Sequence, residues 1–322
     1  MQRTTNQKLR KYFLWVVWIL IIQIVLANIS AAVYAYKFTH FYTNPPPYKP
    51  TNNIFIKTWK LFTGPRIYKL SPDSAISPGY ETIKLRTNNN LSIDGWYGSV
   101  DSAKGCVIFF HGITNNKKVL LHEANQFKLL GYNVLLVDFR AHGNSEGTKS
   151  SFGYKETDEV EKAFQFARQK GNKNIVLYGS SLGSVVIMKA AAENKIAPSA
   201  IIADMPFGSL RDHLRARAIE VGFPSEPFAF LVTLWIGIEN GYNGFNHQAY
   251  NYAKKINCPV LLQGGDRDMY VSENEIKRIY QKLEVANKKL VIYPGANHQS
   301  FLQYDPIYWQ KNITGFLDSL SR

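Results

Sequence analysis

Cysteine is nearly missing from this chain of 322 residues: Cys106 and Cys258 are the only two. Each lies beside an apolar run that reads as a strand, so two buried free thiols are expected, and no disulfide framework is indicated. Histidine and cysteine nowhere fall at metal-ligand spacing. No Gly-x-Gly-x-x-Gly follows the first strand, which argues against a nucleotide-binding loop. Internal repeats and long low-complexity tracts are lacking as well. Acid is absent from the first 72 residues, which carry Arg3, Lys8, Arg10, Lys11, Lys37, Lys49, Lys57, Lys60, Arg66 and Lys69. These ten account for most of the net charge of +14. With no RNA- or DNA-binding motif, a basic stretch beside an apolar one suits an anionic membrane surface and not a nucleic acid.

Charge of either sign is missing from Tyr12 to Tyr36, "YFLWVVWILIIQIVLANISAAVYAY". That length exceeds the roughly 20 residues needed to cross a bilayer. Tyr12, Trp15 and Trp18 lie towards one end, and Tyr34 and Tyr36 at the other, as an aromatic belt requires. Arg3, Lys8, Arg10 and Lys11 precede the span and place the N-terminus in the cytoplasm, with the body on the outer side. Lys37 and the later basic residues reduce that asymmetry. A cleaved signal peptide is the competing reading, with Ser30-Ala31-Ala32 or Val33-Tyr34-Ala35 as cleavage sites; the apolar run is long for its core of about 7–15 residues. The expected organisation is a basic N-terminus (1–11), a transmembrane anchor (12–36), a proline-containing linker and juxtamembrane segment (37–77) and a globular domain (78–322). "TNPPPYKP" (43–50) is the stiff part of the linker, and residues 54–72 are expected to hold a short helix.

From residue 80 strands and helices alternate. "YETIKLRT" and "LSIDGWYG" read as an antiparallel pair, apolar at every second place. "GCVIFF", "NVLLVDF", "NIVLYG", "AIIADM", "PVLLQG" and "KKLVIYPG" read as buried strands, and helical segments separate most of them. Such alternation implies a mainly parallel, doubly wound α/β sheet with helices on both faces and its site at the carboxyl ends of the strands. Residues 208–256 interrupt the pattern with helical character and are expected to form a cap. Within it "PFAFLVTLWIGI" is apolar, but it is short for a second span and begins at Pro227, so a buried or interfacial helix is expected.

"NIVLYGSSLGSVV" (174–186) places Gly179-Ser180-Ser181-Leu182-Gly183 between a strand and a helix. A Gly-x-Ser-x-Gly turn in that context can expose Ser181 at its tip as a nucleophile. A serine hydroxyl needs a base within reach and donors for the oxyanion. Of the seven histidines, only His298 follows the last strand, in "YPGANHQSF". The acid belongs between serine and histidine in chain order. Asp266 and Asp268, just after a strand, supply it, and Asp204 is an alternative. The oxyanion donors are then the backbone N–H groups of Leu182 and of Ile113, in the loop after the first central strand. His111 reads as a loop-shaping residue. Asp138 and Arg140-Ala141-His142-Gly143 read as bracing the site.

"FFHGIT", "VDFRAHGNSEG", "YGSSLGS", "DMPFGSL", "CPVLLQGGDRDMYV" and "GANH" resemble, in order, blocks of the alpha/beta-hydrolase superfamily. The likeness extends over roughly residues 78–320, and in particular to membrane-anchored members labelled serine aminopeptidase-like or lysophospholipase-like. In that family the acid lies in Gly-x-x-Asp-x-x-Val; Gly265, Asp268 and Val271 match, which favours Asp268 over Asp266. Gln263 departs from the histidine that many members have before the glycine. The resemblance implies an alpha/beta-hydrolase fold and a serine hydrolase with the triad Ser181, Asp268 and His298, needing no cofactor and no metal. The substrate expected is an acyl ester, thioester or amide, of a lipid or a small molecule. A peptidase and a non-catalytic binding module on the same fold are the alternatives.

Overall fold

The computed structural model describes residues 2–43, 53–70, 76–220 and 222–320. Neither glycine nor proline occurs between residues 2 and 39, and α1 (Gln2–Thr39) is one unbroken helix. Its most apolar 18-residue window, within Gln7–Thr39, has a mean hydropathy of 2.4 and is almost wholly exposed. The helix continues three residues past Tyr36, the end of the charge-free run. Its last turns pack on the body, burying Ala31, Tyr34 and Ala35. Backbone hydrogen bonds from Ser150 N–H to Thr39 O (2.8 Å) and from Phe41 N–H to Thr148 O (2.7 Å) tie its end to the body. A two-residue strand β1 (Phe41–Tyr42) follows. Most of the proline-rich linker, from residue 44 to 52, lies outside the described residues.

α2 (Ile54–Thr63) starts where the Asn53 side chain accepts from the N–H groups of Phe55 and Ile56, filling orphan donors of the first turn. It lies against α1, where Lys37 Nζ donates to Thr63 Oγ1 and Gly64 O, both at 2.9 Å. β2 (Ile67–Tyr68) then pairs in parallel with β1. The main sheet comprises β3 (Glu81–Arg86), β4 (Ser92–Gly98), β5 (Cys106–Phe110), β6 (Asn133–Val137), β7 (Ile175–Ser180), β8 (Ala200–Asp204), β9 (Val260–Gly265) and β10 (Lys288–Tyr293). Its order is β10-β9-β8-β7-β5-β6-β4-β3. The pairings are parallel except those of β4 with β3 and with β6.

Alternation along each strand divides the core into two layers, because successive side chains leave opposite faces. Cys106, Ile108 and Phe110 pack against α4 (Thr157–Gln169) and α5 (Leu182–Ala192). Val107 and Phe109 pack on the other face, against α3 (Leu121–Leu129) and α11 (Pro306–Ser319). Each fully buried phenylalanine there contributes about 1.5–3 kcal/mol. Coverage on both sides is why these strands read as continuous apolar runs. Cys106 and Cys258 are free thiols, and burial pushes both up to about 12.

Between β8 and β9 the chain leaves the sheet as α6 (Leu210–Glu220), α7 (Ser225–Asn240), a turn at 244–246 and α8 (Ala249–Ala253). These helices occupy the interval expected to form a cap, and α6 lines the cavity that holds Ser181. α7, the apolar helix weighed as a second span, buries Ala229, Val232, Thr233 and Ile236 in the body and packs along α1. After β9 come α9 (Glu273–Lys282) and, after β10, the short α10 (Phe301–Tyr304).

Candidate active site

β7 delivers Ser181 into a sharp turn, with α5 leaving at once. Ser181 has φ +52° and ψ −112°, a strained geometry for a residue with a side chain, costing about 1–3 kcal/mol. The turn closes only because its flanking glycines are bare. A Cβ on Gly183 would lie 2.0 Å from Phe110 O, and one on Gly179 2.4 Å from Ser184 N. Three hydrogen bonds hold the strained turn. Ser181 N–H donates to Asp204 O at 2.8 Å, and Ser184 Oγ bridges Gly179 O and Asp204 O at 2.7 Å each.

The loops after β9 and β10 bring Asp268 and His298 together. His298 Nδ1 donates to Asp268 Oδ2 at 2.6 Å. The other carboxylate oxygen accepts from Tyr270 N–H (2.8 Å) and Val271 N–H (2.9 Å). The Asp268 side chain is fully buried and the imidazole is about one-fifth exposed. Ser181 and His298 both line a cavity of about 550 Å³, together with Gly112 and Ile113 from the loop after β5. Among the described residues no hydrogen bond joins the hydroxyl to the imidazole; apo sites often show such open spacing, which tightens with substrate. Gly112 abuts the nucleophile, since a Cβ there would meet Ser181 Cβ at 3.4 Å. Leu182 N–H sits in the first turn of α5, where a helix offers no internal partner.

The other acids have different partners. Asp266 Oδ1 accepts from Gly295 N–H at 2.6 Å, bracing the histidine loop. Asp204 is buried in a chain of side chains: it accepts from Tyr178 OH and from Gln263 Nε2 (2.7 Å), and Gln263 Oε1 accepts from Tyr293 OH (2.8 Å). Burial pushes Asp204 up to about 7. The unusual Gln263 thus works in this network and does not face the histidine. His111 is fully buried; its Nδ1–H donates to Gly112 O (2.7 Å), and its Nε2 accepts from Phe139 N–H (3.2 Å). With burial lowering it to about 4, it is a neutral loop-former.

The loop after β6 is braced as its sequence suggested. Asp138 accepts from the backbone N–H groups of Lys117 (2.6 Å) and Asn144 (2.9 Å). Arg140 forks onto Glu159, Nε to Oε1 at 2.6 Å and Nη2 to Oε2 at 2.8 Å. Sequence reasoning missed Lys117. Its ammonium is fully buried between Asp94 Oδ1 (2.5 Å) and Asp138 Oδ2 (2.6 Å), and nothing in "NNKKVLLHE" marks it as buried. The cap adds His213 and Arg217 to the cavity wall, and the loop after β9 adds Tyr270. His213 shares the buried face of α6 with Leu210, Leu214 and Ala218, so helical periodicity was the available signal. Burial lowers it to about 3, and its Nδ1 has no partner among the described residues.

Two protein families match successive parts of the chain: "Serine aminopeptidase, S33" over residues 101–225 and "Dienelactone hydrolase family" over residues 237–313. The uncharacterized protein YqkD of Bacillus subtilis is 29% identical over 234 residues, covering 71% of this chain and 76% of that protein. The lysophosphatidylserine lipase ABHD12 of Danio rerio is 25% identical over 197 residues, covering 58% of this chain and about half (49%) of the lipase. Among solved structures, the Pyrococcus furiosus esterase Pf2001 superposes with a TM-score of 0.64 at 24% identity, over 78% of this chain and 98% of the esterase.

Proposed function

We propose that this chain, a member of the alpha/beta-hydrolase superfamily, is a membrane-tethered serine hydrolase that cleaves acyl esters or thioesters of amphiphilic substrates. Ser181 attacks the carbonyl, and His298 Nε2 takes the hydroxyl proton. Asp268 holds the imidazole with Nδ1 protonated and Nε2 free to accept. The N–H groups of Ile113 and Leu182 stabilise the oxyanion, each worth roughly 10²–10³ in turnover. His298 returns the proton to the leaving alcohol or thiol. A water then attacks the acyl-serine by the same route in reverse, and no cofactor is required.

The observation that carries the reading is the 2.6 Å hydrogen bond from His298 to a buried Asp268, in the cavity that holds a strained Ser181. The similarity to an esterase and to a lysophosphatidylserine lipase supports esters over amides. The membrane tether is α1. Cleavage at the signal-peptide-like sites would remove or sever Ala31, Tyr34 and Ala35 from the core in which they are buried, which supports a retained anchor. The four basic residues ahead of the span put the N-terminus in the cytoplasm and the hydrolase domain on the outer side.

The test is labelling by a fluorophosphonate probe in membrane fractions, alongside hydrolysis of p-nitrophenyl esters and of aminoacyl anilides. Wild type labels and Ser181→Ala does not, with ester turnover falling on the order of 10⁶. Anilide cleavage without ester cleavage moves the reading to an aminopeptidase. Folded wild-type protein that neither labels nor hydrolyses moves it to a non-catalytic binding module.

A further inference from the structure

We propose that the carboxyl-terminal end of the membrane helix is itself a wall of the substrate site, and that the cavity it encloses takes a single acyl chain from the bilayer. The inference rests on the serine hydrolase reading. A second cavity, of about 310 Å³, lies under the cap and is lined by Tyr34 and Phe38 of α1, Pro65 and Ile67 beyond α2, and Leu214 and Phe228 of the cap. It shares Ile113, Thr114, His213 and Arg217 with the cavity of Ser181. The two are lobes of one site, and the nucleophile's lobe includes an oxyanion donor that both share.

The lobes differ in chemistry. The Ser181 lobe is walled by Asn115, His122, Gln299 and Ser300. The second lobe is mainly aromatic and aliphatic, with Arg217 and Glu220 the charged residues in its wall. Tyr34 meets Phe228 edge-on at 5.0 Å between centroids and lies 5.8 Å from Phe38. Its ring rests on the bare backbone of Gly64, where a Cβ would lie 2.6 Å from it. An ester held at Ser181 therefore has a polar lobe for its head and an apolar one for its chain. At the junction stands His213, 3% exposed, with Nδ1 unpartnered among the described residues. A buried polar atom without a partner marks a place where a ligand can supply one.

Position identifies the source of the chain. The exposed apolar run of α1 reaches Ile29, half exposed, and Tyr34 and Phe38 follow about 8 and 14 Å further along the helix axis. α2, which leads directly into Pro65 and Ile67, exposes Ile54, Phe55 and Trp59 together with Lys57 and Lys60. Apolar side chains interspersed with lysines are the composition of a helix lying in a bilayer interface. The mouth of the apolar lobe therefore sits where lipid chains begin. Its volume is at the low end of the roughly 300–1,000 Å³ of ligand sites, which suits one chain and not two.

The experiment uses the full chain in phosphatidylcholine nanodiscs and measures kcat/KM for p-nitrophenyl esters from acetyl to dodecanoyl. Phe38→Trp narrows the lobe, Ile67→Trp narrows it from the opposite wall, and Phe38→Ala widens it. The dodecanoyl-to-acetyl ratio falls at least about tenfold in each tryptophan variant, since every methylene excluded from an apolar pocket loses roughly fourfold. In Phe38→Ala the preferred chain becomes longer. Ratios and preferences equal to those of wild type overturn the pocket and leave the hydrolase reading intact. A wild-type protein that cleaves no ester and takes up no fluorophosphonate at Ser181 overturns both.

Discussion

Asp268→Asn tests the assignment of the acid more sharply than removal of the side chain. In the structure Asp268 Oδ1 accepts from two backbone N–H groups, and Oδ2 accepts from His298 Nδ1. Asparagine keeps an oxygen for the two backbone donors but turns an NH₂ group towards the imidazole. Two donors then face each other. The histidine relieves this by moving its proton to Nε2, the atom that must accept from Ser181. The expected loss in kcat is about 10⁴, a barrier rise of about 5.5 kcal/mol, with little change in KM. The loop keeps its anchor, so the thermal midpoint moves by only a few degrees. Steady-state ester hydrolysis and the rate of fluorophosphonate labelling read the first effect, and circular dichroism reads the second. Asp266→Asn, which weakens only the bond to Gly295 N–H, stays within tenfold of wild type. A folded Asp268→Asn protein with less than a tenfold loss refutes the assignment, and a 10⁴ loss in Asp204→Asn in its place transfers the role to the buried network.

Lys117→Met leaves the carboxylates of Asp94 and Asp138 buried without their shared cation, and breaking a buried pair in this way costs about 3–5 kcal/mol. Urea unfolding in detergent reads it, and a loss below about 1 kcal/mol would show that water or Lys84, already on Asp94 at 2.7 Å, takes over the compensation. His213→Leu changes the pH dependence of stability. The native imidazole is held at about 3 against an ordinary 6.5, so below pH 6.5 the unfolded wild-type chain takes up a proton that the native state refuses. That site's contribution is complete above pH 6.5 and is lost as pH falls towards 3. The leucine variant lacks this loss and gains on wild type by up to about 1.4 kcal/mol per pH unit of acidification; parallel stability curves at pH 7, 6 and 5 refute it.

The parts of the fold most legible from residue order were those governed by local sterics and periodicity. The buried strands announced themselves as apolar runs because both faces of the sheet are covered. Gly179 and Gly183 announced the turn at Ser181 because no side chain fits there. His213 was legible in principle, as a polar residue at an apolar helical position, whereas the burial of Lys117 was not, because an acid of β4 and one from the loop after β6 create its environment. α1 runs past the charge-free segment for a local reason: neither glycine nor proline occurs before its end at Thr39.

By itself, then, the sequence determined the alternation of strands and helices, the strained turn at Ser181, the order of serine, acid and histidine, and an apolar helix long enough to span a membrane. Each follows from neighbours along the chain. Only the tertiary structure brought Asp268, which the motif favoured, onto His298, made Gln263 complete a network with Asp204, Tyr178 and Tyr293, and set Tyr34 and Phe38 in the wall of a cavity that shares residues with that of Ser181. Those outcomes depend on contacts between residues far apart in the chain, such as Tyr34 and Phe228, 194 positions apart and edge-on at 5.0 Å. Such contacts exist only once the sheet has set the loops side by side and the cap has closed over α1.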